Sequence, residues 1–200
     1  MFATRALRLC LGMQDIHTVL DIGCGRDFTH ARAFQAAGKQ VTCYDPPMQH
    51  AELPAGMEWH LGDLEELEAS VDLVWSSHTL EHVLDVQSEL ESWVSACRIG
   101  GLIAITVPPF KRAVVGGHVN GFTAGTLLYR LVLAGVDCSK AMVKTHGYNI
   151  SVVVRYAPAQ IQWHELTYDH GDIERLAHWF PPQCRQQGFD GHIAQLNWSD

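Results

Sequence analysis

The chain has little or none of what marks several protein classes. No apolar run approaches the roughly 20 residues that cross a bilayer, so no membrane-spanning helix is expected. The opening residues MFATRALRLCLGMQD carry two arginines inside their apolar stretch, and no small-residue cleavage site follows. A cytoplasmic protein is the expectation. Positive charge is scarce: 14 Lys plus Arg against 22 Asp plus Glu gives a net charge of −8. Clustered cations supply most non-specific affinity for phosphate backbones, so nucleic acid is not the expected partner. No CxxC pair occurs among Cys10, Cys24, Cys43, Cys97, Cys138 and Cys184, which read as reduced, mostly buried thiols. The 12 histidines form no tract, and neither repeats nor low-complexity segments are present. What remains is a 200-residue chain, 47% hydrophobic and 18% charged, sized for one well-packed domain.

Hydrophobic patterning predicts alternating helices and strands. Residues 3–12 read as a short helix stopped by Gly12, and 18–25 as a buried strand ending in glycines. A helix over 28–37 stops at Gly38, and a second strand over 40–46 closes at Asp45 with Pro46-Pro47. Strands follow at 57–63, 71–77 and 100–110, with one or two helices over 78–98. Residues 111–122 form a glycine-rich loop, 122–135 a helix capped by Thr123, and 149–157 a strong β-branched strand. Strands apolar on both faces and separated by helices predict an α/β fold: a doubly wound, mostly parallel sheet ending in an antiparallel strand. The expected division is a domain over 1–157 and an extension over 158–200. That extension holds Trp163, Trp179 and Trp198, so it packs on the domain or on a second subunit, leaving a homo-oligomer open.

The chemistry centres on Asp21-Ile22-Gly23-Cys24-Gly25-Arg26-Asp27. Glycines at the end of a first strand let backbone amides approach a ligand without an intervening Cβ. Twenty residues beyond Gly25, Asp45 ends the second strand, where an acid accepts hydrogen bonds from a ribose diol. A dinucleotide fingerprint needs a third glycine where Phe28 stands, and it tolerates no acid such as Asp27 beside the pyrophosphate. Asp21 and Asp27 instead suit a cationic nucleoside over a nicotinamide dinucleotide.

With these residues the chain resembles the class I S-adenosylmethionine-dependent methyltransferases, in the small-molecule group with a D-x-G-x-G loop, over about 18–157. The resemblance implies a Rossmann-like methyltransferase fold with S-adenosyl-L-methionine as cofactor. The Asp21–Gly25 loop, with Gly23 and Cys24, would lie against the methionine part, and Asp45 with Pro46 against the ribose. Asp63 and Leu64 resemble the adenine-flanking segment; Asp63 also reads as a cap for a helix over 64–69. Ser77 and His78 begin a stretch similar to the family's fourth strand and its Leu-Glu-His. The implied function is methyl transfer to an oxygen or nitrogen of a small-molecule acceptor. His118 is the candidate catalytic base, against a purely structural loop histidine.

Two departures favour an alternative, a catalytically silent methyltransferase-like domain for binding or assembly. Asp27 replaces the family's third glycine. The stretch before the first strand is also short for a lid, so the lid is minimal or the 158–200 tail replaces it. Two motifs are set aside. His78-Thr79-Leu80-Glu81-His82 spells H-x-x-E-H, which on one helix face would suit zinc. No third ligand is identifiable, so no metal is expected; His78 is placed near the cofactor, and Glu81 and His82 either on the helix surface or behind the residues that touch the ligand. Val107-Pro108-Pro109-Phe110 lacks the polar first residue of an amino-methyltransferase tetrapeptide and reads as a chain-turning element.

Overall fold

The computed structural model describes residues 3–49, 51–67, 71–189 and 191–199. Eight strands form one sheet: β1 (Thr18–Ile22), β2 (Gln40–Tyr44), β3 (Glu58–Trp59), β4 (Val71–Ser77), β5 (Cys97–Val107), β6 (Met142–His146), β7 (Asn149–Arg155) and β8 (Gln195–Leu196). Their spatial order is β3-β2-β1-β4-β5-β7-β6-β8. The first five run parallel, while β7, β6 and β8 pair antiparallel. The helices are α1 (Thr4–Leu11), α2 (Thr29–Ala36), α3 (Val86–Ala96), α4 (Ala124–Leu133) and the single turn α5 (Asp172–Arg175). Among the described residues no helix is long and apolar enough to cross a membrane.

The strand sequences explain why both faces are covered. Successive side chains on a strand point to opposite faces. Leu20, Ile22, Val74, Ile103, Ile105 and Val107 enter one core with α3 and α4. Val19, Leu73, Trp75, Leu102 and Ala104 enter a second core with α1 and α2. The 158–199 stretch contributes Leu176, Phe180, Cys184 and Leu196 to the first core and Trp198 to the second. All six cysteines are buried and unpaired.

The polar groups at the amino ends of β1 and β4 are closed off. Asp72 Oδ2 accepts from the His17 and Thr18 amides at 2.7 and 2.9 Å, the Thr18 hydroxyl accepts from the Asp72 amide at 2.8 Å, and Arg98 pairs with Asp72 Oδ1. Burial works to raise the Asp72 carboxyl, but Arg98 and the two amides more than offset it and hold it well below the carboxylate range. At the carboxyl ends the chain leaves β1 toward β2 on one side, while β4 lies on the other. That reversal opens a crevice where ligands bind in open α/β sheets.

Several expectations need correction. The third strand is only two residues, because Leu61-Gly62-Asp63 leaves the ladder and turns into a 3₁₀ segment, Leu64–Leu67. The helix expected over 64–69 therefore stops at Leu67 within the described residues; residues 68–70 lie outside them. The helical stretch over 78–98 is a 3₁₀ turn, Leu80–His82, and then α3, whose N-cap Asp85 accepts from the Ser88 amide at 3.2 Å. His78 has φ +57°, so it and His82 do not share a helix face. The antiparallel end is richer than one strand: β6 and β7 form a hairpin turning at Gly147 (φ +58°), and β8 adds to its outer edge.

Candidate active site

The site begins where β1 ends. The register Ile22↔Tyr44 sets the residues after β1 beside those after β2. The Gly23 amide donates to the Tyr44 carbonyl at 2.7 Å, and the Gly25 amide donates to Asp45 Oδ2 at 2.9 Å. Gly23 has φ +73°, and a Cβ there would lie 1.9 Å from Thr79 Oγ1, so only glycine fits. The Thr79 hydroxyl in turn donates to the Ile22 carbonyl at 3.3 Å, joining the turn after β4 to the end of β1.

These contacts frame a cleft of about 460 Å³. Gly23, Gly25, Asp45 and Pro46 form one wall, His78, Thr79 and His82 another, and Glu89 and Trp93 of α3 reach in from above. The Trp93 indole N–H donates to Glu89 Oε2 at 3.0 Å, four residues back along the helix. The volume suits a nucleoside-sized ligand. Among the described lining residues none is Lys or Arg, while Asp45 and Glu89 are acidic, so the cleft favours a cation over a pyrophosphate.

Asp21 lies beneath the glycine bend, 1% exposed, and its Oδ2 meets no hydrogen-bond partner among the described residues. Burial pushes its carboxyl up to about 7; the Ala31 amide opposes this and the charge of Asp45 adds to it. A cation entering above would restore its ionised form.

The expected site residues do not all meet. Gly23, Gly25, Asp45, Pro46 and His78 line the cleft, and Asp21 underlies it. Cys24, Asp63, Leu64 and Ser77 fall outside the lining. Cys24 turns inward against Cys43, Leu64 is in the core, and the Ser77 hydroxyl is buried without a partner. Asp63 is exposed, and its carbonyl bonds the His60 ring at 2.8 Å, next to Tyr44. Asp27 is exposed and outside the lining, and Phe28 (φ +49°) turns inward onto Trp59 as α2 begins. Neither α1 nor the described part of 158–199 lines the cleft.

His118 lines a neighbouring groove of about 260 Å³ with Pro109, Phe110, Lys111, Asn120 and Tyr148. Cleft and groove adjoin through two ring contacts. His78 stacks on Tyr148 with centroids 6.1 Å apart, and His82 meets His118 edge to face at 4.9 Å. His78 also bonds Asn149 Oδ1 through Nε2 at 2.8 Å and faces Glu81 Oε1 through Nδ1 at 3.3 Å. Glu81, and less so Asn149, raise the His78 pKa against the effect of burial. Tyr44, Thr79, Val83, Glu89, Trp93 and Asn149 were not foreseen. Only Glu89 and Trp93, four apart on a helix facing a strand end, carried a readable signal.

Residues 20–105 match the family model of a methyltransferase domain, and that span holds the glycine bend, Asp45, Asp63 and His78–His82. The chain therefore carries a methyltransferase-domain match over 20–105 and has the fold of the class I methyltransferases. No curated protein matches it in sequence. Solved structures share the methyltransferase fold at low identity. One is a chain of the complex between the Haloferax volcanii Trm112 methyltransferase activator and a methyltransferase: 20% identity, TM-score 0.55, 67% of this chain and 66% of that one. An O-methyltransferase family protein from Burkholderia thailandensis matches at 11% identity and TM-score 0.59, over 79% and 57% of the two chains. The Haemonchus contortus phosphoethanolamine N-methyltransferase 2, solved with S-adenosylhomocysteine, matches at 20% and 0.52, over 66% and 36%. The chain thus spans between about a third and two thirds of the length of these three.

Proposed function

We propose that this methyltransferase domain moves a methyl group from S-adenosylmethionine to an oxygen or nitrogen of a small-molecule acceptor. The observation that carries this reading is the pairing of the Gly25 amide with Asp45 at the mouth of an anionic cleft without lysine or arginine. When bound, S-adenosylmethionine supplies an electrophilic methyl carbon on a sulfonium. The residues present fit that group. Asp45 has its second carboxylate oxygen for the ribose hydroxyls, because Gly25 engages Oδ2. Gly23, Cys24 and Gly25 offer a bend for the methionine tail, and the orphaned Asp21 oxygen beneath it favours positive charge above. Tyr44 and Pro46 wall the adenine end. Asp63 and Leu64 stand beyond that wall, with Asp63 assigned to the adenine amino group.

Ser77 ends β4 and His78 turns its ring toward the methyl-bearing side, fixed by Asn149 and Glu81. Holding nucleophile and methyl carbon in line supplies most of the acceleration. The groove beside His78 is the acceptor side, and His118 is the residue assigned to activating a hydroxyl there. The silent-domain alternative drew on Asp27, which stands exposed and away from the cleft, so that motive loses its weight. Calorimetry with S-adenosylmethionine and S-adenosylhomocysteine tests the cofactor half, with one-to-one binding of both expected. A screen of hydroxyl- and amine-bearing small molecules for S-adenosylhomocysteine release tests the rest. Binding without turnover on any acceptor would favour the silent domain, and absence of binding would end the reading.

A further inference from the structure

We propose that Glu81, His82 and His118 form a binding site for a divalent transition-metal ion of the zinc or manganese kind. Their ligand-capable atoms all lie within 4.8 Å of one another. Two come from the 3₁₀ turn after β4 and the third from the loop after β5. That loop is fastened to the turn: the Val119 and Asn120 amides donate to the Glu81 carbonyl at 2.9 and 3.2 Å. The backbone of the residue that offers the carboxylate therefore holds His118 in place.

Glu81 points independently to a cation. It is 1% exposed, and neither carboxylate oxygen has a hydrogen-bond partner among the described residues. A buried carboxylate whose only charged neighbours are imidazoles at 3.3 and 3.8 Å is incompletely compensated, and a bound cation would supply the rest. Its polar neighbours are imidazoles: His78 Nδ1 at 3.3 Å and His82 Nε2 at 3.8 Å. His82 is already held as a metal-ligating histidine would be. Its Nδ1–H donates to the Gly117 carbonyl at 2.8 Å, which leaves the Nε2 lone pair on the side of Glu81. Gly117 (φ +77°) permits this approach, since a Cβ there would lie 3.1 Å from His82 Nδ1.

Two imidazoles and one carboxylate suit a transition metal, whereas magnesium and calcium prefer all-oxygen sets. Metal–ligand bonds of about 2.0–2.2 Å require the three groups to draw inward, and the two rings lie on the exposed side where they can turn. Three protein ligands leave a position open. The ion would stand where cleft and groove meet, so, resting on the methyl-transfer reading, the open position is assigned to an acceptor oxygen. His118 then activates the acceptor as a metal ligand rather than as a free base.

The test uses the whole chain, stripped with a chelator and titrated calorimetrically with Zn²⁺, Mn²⁺ and Mg²⁺, with Co²⁺ absorption as the spectroscopic check. One equivalent of Zn²⁺ is expected to bind and to raise the melting temperature, with Mg²⁺ far weaker. Glu81→Gln disturbs a buried residue, so His118→Ala in the exposed loop is the primary variant. It is expected to keep the circular dichroism of the parent and to bind Zn²⁺ at least ~10-fold more weakly, with a changed Co²⁺ spectrum. No Zn²⁺ binding by the parent chain, or unchanged affinity and spectrum in His118→Ala, overturns the site. S-adenosylhomocysteine binding by the metal-free chain is measured separately: its absence would remove the methyl-transfer reading and the acceptor role of the ion, while Zn²⁺ binding alone decides the site.

Discussion

Two carboxylates at opposite ends of neighbouring strands have opposite fates. Asp72, at the start of β4, receives two backbone amides and Arg98 and holds its charge firmly. Asp21, near the end of β1, is more deeply buried, has one oxygen without a partner, and has its carboxyl pushed up to about 7. Glu81 repeats the pattern beyond the end of β4. One end of the sheet has its polar groups satisfied by the fold, and the other leaves them for something the fold does not supply. On the proposed reading, stability resides at the first end and binding at the second, since unsatisfied buried groups often mark function.

The comparison can be broken in order of effect. Replacing Asp45 with Ala removes the carboxylate assigned to the ribose and should weaken S-adenosylhomocysteine binding by at least about 100-fold, since two charge-assisted hydrogen bonds are worth about 3 kcal/mol or more. The melting temperature should change little. Asp72→Ala should do the reverse. Loss of its bonds costs about 2 kcal/mol, a drop of about 5 °C in melting temperature, with ligand affinity kept within about twofold. If Asp72→Ala abolishes binding while stability holds, the division between the two ends is wrong.

A smaller effect is set by pH. Asp21 titrates near 7 in the folded chain and near 3.9 when unfolded, so the folded state binds the extra proton. Its stabilising contribution is complete below about pH 4 and is lost as pH rises through 7. Asp21→Asn mimics the protonated form. The free variant should melt a few degrees above the parent at pH 8, with the gap narrowing below pH 7 and closing only near pH 4. Smallest of all, Asp27→Gly should leave cofactor affinity unchanged within about twofold, because Asp27 stands outside the cleft. A large gain in affinity would place it back at the methionine end.

Most of the parallel half of the sheet was legible because its strands are β-branched, apolar runs: β1, β2, β4 and β5 lie close to their expected places, while β3 shrank to Glu58–Trp59. The β6 strand escaped because Met142–His146 buries only Val143 and carries Lys144, Thr145 and His146, a composition shared with loops. The segment after β4 misled for a different reason. Its residues have helix-forming character, but His78 adopts a left-handed backbone, held by its amide on the Thr106 carbonyl and its ring against Asn149 and Glu81. In the site, Gly23, Gly25 and Asp45 were readable because geometry demands those residue types there. The Glu81–His82–His118 cluster was not, because 36 residues separate its last two members and only the fold of the 111–122 loop brings them together.

The most direct test is a crystal structure of the chain with S-adenosylhomocysteine. The account predicts both ribose hydroxyls on Asp45 and the amino-acid tail over Gly23–Gly25, above Asp21. Ligand bound elsewhere, with the Asp45 carboxylate turned wholly to the protein's own amides, would contradict it.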